Sequence, residues 1–158
     1  MKTQGEIESA IAEGMGRFEQ EYMGRGPKDV RAHLLDDLVV VRLTGVLTAA
    51  EQHLVKTLPP DKGRDLLKQV RSQLLEIARP TLEAMVGGIT GVKIVSLHHD
   101  ISTMTGEEII LFTLAECPIC RETRKTPSHS TAARVHPESG TNTAVRVDDG
   151  TSMRLRTV

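Results

Sequence analysis

Aromatic residues are nearly missing from this chain: 158 positions hold no tryptophan, one tyrosine and two phenylalanines. Stacking platforms for bases or sugars are therefore scarce, which argues against recognition of single-stranded nucleic acid through aromatic side chains. A strong charge of one sign is missing too. The formal net charge is -1, divided between a mildly basic end, where residues 121–158 hold seven Arg/Lys against four Asp/Glu, and a mildly acidic remainder. Neither part pulls strongly on a phosphate backbone, so no nucleic-acid partner is expected. No run of about 18 apolar residues is present to span a bilayer, and the N-terminus lacks the apolar core of a secretory signal. The two cysteines cannot build a disulfide framework, and their Cys-x-x-Cys spacing fits a reducing, cytoplasmic setting.

What is present is aliphatic and patterned. Thr3-x-x-Glu6 reads as a capping box, and Ile7, Ile11, Met15, Phe18 and Tyr22 then follow at helical spacing. Gly14 and Gly16 inside this helix read as tolerated rather than tightly packed. Gly24 and Gly26 offer positive φ at its end, and Pro27 forbids continuation. Val30–Leu35 and Leu38–Leu43 are β-rich runs separated by Asp36-Asp37, a pair that reads as a hairpin turn rather than a metal site. Thr48-x-x-Glu51 caps a short helix that ends at Pro59-Pro60. A long helix capped by Asp61 follows, with Leu66, Leu67, Val70, Leu74, Ile77, Ala78, Leu82 and Met85 as its apolar stripe. Lys68, Arg71, Gln73, Glu76, Arg79 and Glu83 are expected in water. Pro80 should kink or divide this helix, and Gly87-Gly88 should end it. Two further strands come next, the first placing Val95, Leu97, His99 and Ile101 on one face, the second placing Ile110, Phe112 and Leu114 on one face.

The order αββ-αα-ββ predicts an α+β fold: a four-stranded antiparallel sheet of two hairpins with helices on one face. Residues 1–116 form this domain. Residues 117–158 form a Cys-x-x-Cys segment and a polar tail, whose composition over 121–143 predicts disorder, with a weak hairpin signal at 144–156 around Asp149-Gly150. The second and fourth strands carry aliphatic residues on both faces, so one face needs a cover that a single helical layer does not supply. A homodimer is the expected cover.

Three groups of residues could carry chemistry. Arg25, between Gly24 and Gly26-Pro27, could help cradle an anion such as bicarbonate or phosphate, although the same residues read as a helix cap and the carbonyl end of a helix opposes negative charge. His98 and Asp100 share a strand face, and with His33 they could hold a metal or act as a general base; histidines near a strand end are also often only solvated. Cys117 and Cys120 could bind zinc with His129 and His136, form a redox dithiol, or remain plain thiols. The second half of that zinc set, His-x6-His, is wider than the usual three to five residues.

Arg17–Pro27, Asp36–Thr48 and Val95–Thr103 together resemble a small bacterial family first catalogued as a domain of unknown function. It was then named MpsC, for the third component of a sodium-translocating, membrane potential-generating system. The resemblance spans about residues 3 to 115. It implies a small protein associated with a membrane system for cation or inorganic-carbon uptake, and it brings no agreed catalytic residues. The expected function is a non-enzymatic, cytoplasmic accessory or regulatory protein of such a system, placed at the inner membrane through transport subunits. The alternative is a metal-binding or enzymatic module built on His33, His98 and Asp100 or on the cysteine pair.

Overall fold

The computed structural model describes residues 1–122; the tail, its hairpin signal, His129 and His136 lie outside the described residues. Seven elements follow in the order anticipated: α1 (Gln4–Tyr22), β1 (Asp29–Leu35), β2 (Leu38–Thr44), α2 (Ala49–Thr57), α3 (Pro60–Thr90), β3 (Ile94–Ser102) and β4 (Glu107–Leu114). Both capping boxes form, Thr3 with Glu6 on α1 and Thr48 with Glu51 on α2, so each helix start has its orphan amides satisfied. The strands make one antiparallel sheet in the order β1-β2-β4-β3. Asp36-Asp37 is the turn joining β1 to β2, with Asp36 at φ 54°, a left-handed conformation that aspartate tolerates.

One sheet face holds the core. Ala32 and Leu34 of β1, Val39, Val41 and Leu43 of β2, Ile110, Phe112 and Leu114 of β4, and Leu97 and Ile101 of β3 are buried there. Ile7, Ile11, Met15 and Phe18 of α1 and Leu67, Leu75, Ala78, Leu82 and Val86 of α3 belong to the same cluster. Tyr22 stays half-exposed and stacks on Phe18, with ring centroids 4.7 Å apart.

Several expectations are corrected by packing. Val95 leaves the face of Leu97 because a β-bulge between Ile94 and Ser96 shifts the register, leaving Val95 64% exposed. The helix α3 is not divided at Pro80 and runs past Gly87-Gly88 to Gly91, which takes the left-handed capping conformation; Pro59, not Asp61, is its N-cap. Its buried series, including Leu67, Leu75, Ala78 and Leu82, continues on both sides of the exposed Pro80, so one core holds both halves. The buried side of α3 is rotated from the expected stripe: Leu66, Val70 and Ile77 face solvent, whereas Arg71 is fully buried. Gly14 is packed after all, since a Cβ there would meet Met85 Sδ at 2.5 Å.

Each sheet edge is interrupted at one point. On β1, Glu8 Oε1 accepts from the Leu34 amide at 2.9 Å, and Gln4 Nε2 donates to the Leu34 carbonyl at 2.9 Å, so α1 covers the edge at Leu34. On β3 the bulge interrupts the edge ladder.

At the end of α1, Gly24 takes φ 75° while Gly26 does not have positive φ. Gly24→Ala should therefore cost about 1–2 kcal/mol through backbone conformation alone, and Gly26→Ala clearly less. Urea unfolding of the two variants checks this, and equal costs would contradict it.

Candidate functional site

Arg71 is the organising side chain of the interior. Its Nε and Nη2 meet Glu51 Oε1 and Oε2 at 2.9 and 3.1 Å, a bidentate pair. Its Nη1 donates to Glu108 Oε2 at 2.9 Å and lies 3.7 Å from Glu19 Oε2, and Nη2 also donates to the Val46 carbonyl at 3.0 Å. Each partner arrives by its own element. Glu19 sits beside Phe18 in the buried stripe of α1, Glu108 is on the core face of β4, and Glu51 is the capping-box residue of α2, which also accepts from the Thr48 amide at 2.7 Å.

One guanidinium thus faces three carboxylates. Two of them take its direct hydrogen bonds; Glu19 lies beyond hydrogen-bond reach, and neither of its oxygens has a hydrogen-bond partner, nor has Glu108 Oε1. Burial first, then repulsion by Glu108, push the Glu19 carboxyl up to about 8, so at neutral pH it carries a proton. Burial also raises Glu108. Glu51 is pulled the other way: burial would raise it, but the Arg71 and Thr48 hydrogen bonds prevail and lower it.

The histidines do not converge. His33, Val40, Leu111 and His98 form one cross-strand row on the open sheet face, but β1 and β3 are the two outer strands. His33 and His98 are therefore three strand spacings apart, about 14 Å. His98 and Asp100 do share that face, and Asp100 is engaged by Lys68 at 2.7 and 3.1 Å, which holds its carboxyl below the usual range. His99 turns inward, and burial lowers its pKa. Cys117 and Cys120 are free thiols after β4, the first exposed and the second packed partly against the core. Among the described residues no group of three or more His, Cys, Asp or Glu is placed to hold a metal ion. Arg25 donates Nη1 to the Leu47 carbonyl at 3.0 Å and lines a surface depression.

A sequence profile for the family described as "Na+-translocating membrane potential-generating system (MpsC)" matches residues 3–116. The chain is also similar to "Uncharacterized protein YbcI" of Bacillus subtilis (strain 168), 37% identical over 113 residues, covering 72% of this chain and 89% of that protein. No solved structure matches the chain significantly.

The proton on Glu19 has a measurable sign. Unfolded, the group titrates near 4.5, and folded at about 8. Between those values the folded state binds the extra proton, so rising pH removes stability through this group until it levels off above the folded value. Glu19→Gln, which mimics the protonated carboxyl, should gain stability relative to the parent steadily across that window. A parent-minus-variant difference in urea midpoint that stays constant with pH would contradict a protonated Glu19.

Proposed function

Because the chain belongs to the MpsC family, we propose that it is a non-enzymatic accessory or regulatory component of a membrane system for sodium, other cation or inorganic-carbon uptake. The match over residues 3–116 carries this reading. Among the described residues no helix is long and apolar enough to cross a membrane. On this reading the chain acts at the cytoplasmic surface by docking on subunits that do cross. The outer side of α3 supplies a suitable surface: Leu66, Val70 and Ile77 are 42%, 45% and 73% exposed, with half-buried Leu74 between them at helical spacing.

The same reading includes self-association through the open sheet face. Leu38, Val40, Ile109 and Leu111 are half-buried at its centre, so a second copy laid on this face would cover aliphatic surface. A twofold axis parallel to the strands between β2 and β4 would lay β1 over the partner's β3, with Val40 against Leu111 of the partner subunit and Arg31 against Asp100 of the partner subunit.

Two measurements check these claims. Deleting the protein from its host should lower sodium-dependent membrane potential, read with a potential-sensitive dye; wild type should restore it and Ile77→Glu should not. An unchanged potential on deletion would contradict the role. Light scattering of the purified protein should give twice the chain mass of 17.3 kDa, and Val40→Glu should give that mass once; a monomeric parent at tens of micromolar would contradict the dimer.

A further inference from the structure

Among the described residues every arginine but Arg25 has a carboxylate oxygen within 4.0 Å: Arg17, Arg31, Arg42, Arg64, Arg71, Arg79 and Arg121 are all paired. Arg25 instead lines a depression of about 240 Å³ with Lys28 and Lys56, and among the described residues no Asp or Glu lines it. Three cations that lack a counter-charge among the described residues form a local positive field that suits an anion.

The Arg25 guanidinium and the stem of Lys28 are held in place. The Arg25 guanidinium is anchored through Nη1 on the Leu47 carbonyl at 3.0 Å, which leaves Nη2 and Nε as donors. The Lys28 amide is fixed on the Thr44 carbonyl at 2.8 Å, and its stem crosses Gly45, where a Cβ would come within 2.5 Å of Lys28 Cγ. Gly45, at φ 65°, is thus the residue that lets this lysine lie along the rim. Lys56 comes from the last turn of α2. The Gln52 amide and the Thr103 and Thr105 hydroxyls add neutral donors, and Leu47 and Val55 form an apolar wall. No residue of α1 lines the depression, but Val55 and Lys56 belong to the last turn of α2, so the Lys56 ammonium has to offset the carbonyl end of that helix.

We propose that this depression binds a phosphoryl oxyanion, the phosphate group of a small monoester, with Arg25, Lys28 and Lys56 on its oxygens and the organic part against Leu47 and Val55. Guanidinium and ammonium donors make charge-assisted hydrogen bonds to phosphate oxygens, and the apolar wall gives the monoester an advantage over the bare ion. The site is independent of the membrane role proposed above, since neither the α3 stripe nor the open sheet face contributes to it.

The test is calorimetric titration of the full chain, at constant ionic strength in chloride, with inorganic phosphate, glycerol 3-phosphate, and vesicles containing phosphatidic acid. Saturable binding of glycerol 3-phosphate is expected, tighter than that of inorganic phosphate. It should be weakened about tenfold or more by Arg25→Gln, severalfold by Lys56→Gln, and not by Arg31→Gln, whose guanidinium lies on the open sheet face. Lys56 is exposed on α2, so its variant keeps the proposal testable if Arg25→Gln perturbs folding. Binding of the vesicles alone, lost in Arg25→Gln, supports the same site with a lipid as the source of the phosphoryl group. No saturable binding of any of the three, or binding indifferent to both Arg25→Gln and Lys56→Gln, would overturn it.

Discussion

A guanidinium with no exposed surface dictates much of this fold. Taking Arg71 out of water costs several kcal/mol unless its donors and charge are met in place. Here they are met by groups from α1, α2, β4 and the segment after β2. Glu51, Glu108 and the Val46 carbonyl take its direct hydrogen bonds, and none of the three can shift without leaving a buried charge or donor unpaired, so the rotation of α3 over the sheet is set at this point. Burial and the neighbouring Glu108 raise the Glu19 carboxyl, so a proton on Glu19 offsets the excess of carboxylates around this guanidinium.

The same cluster reaches the surface. Val46 gives its carbonyl to Arg71 and its amide to the Gly106 carbonyl at 3.2 Å, while Glu51 binds both Arg71 and the Thr48 amide. The segment from Val46 to Thr48 is therefore held from the interior on both sides. Leu47 lies between those anchors, and its carbonyl is what fixes Arg25. The cationic depression is thus positioned by the core, although none of the cluster's charged side chains lines it. Gln4 and Glu8 at Leu34 and the bulge at Val95 interrupt the two sheet edges, and aliphatic residues left outside the core lie on the open face, where side-chain chemistry selects a partner.

Much of this was legible from local chemistry. Two capping boxes, the Asp36-Asp37 turn and the alternation in β2 and β4 each depend on residues a few positions apart, and each formed as read. What failed depended on contacts distant in sequence. Arg71 read as a solvated residue, yet it continues the four-residue series Gly63, Leu67, Arg71, Leu75 that packs inward; the signal was present, but charge outweighed spacing. Glu19 adjoins Phe18 in the buried stripe of α1, and its charge kept it out of the apolar series Ile7, Ile11, Met15, Phe18 and Tyr22. The bulge at Val95 leaves no mark in the alternation, and the placement of β4 between β2 and β3, which separates His33 from His98, is a property of the whole sheet. The anion reading of Arg25 came from its glycine neighbours, but Lys28 and Lys56 join it only through the fold.

A double-mutant cycle on Arg71 and Glu108 tests whether Arg71 and its carboxylates act as one coupled unit. Arg71→Met alone strands buried carboxylates and should cost about 3–5 kcal/mol in urea unfolding, whereas adding Glu108→Met to it should recover part of that loss. If the two substitutions instead add independently, with the double variant as unstable as the sum of the singles, the guanidinium is not the constraint on which this fold depends.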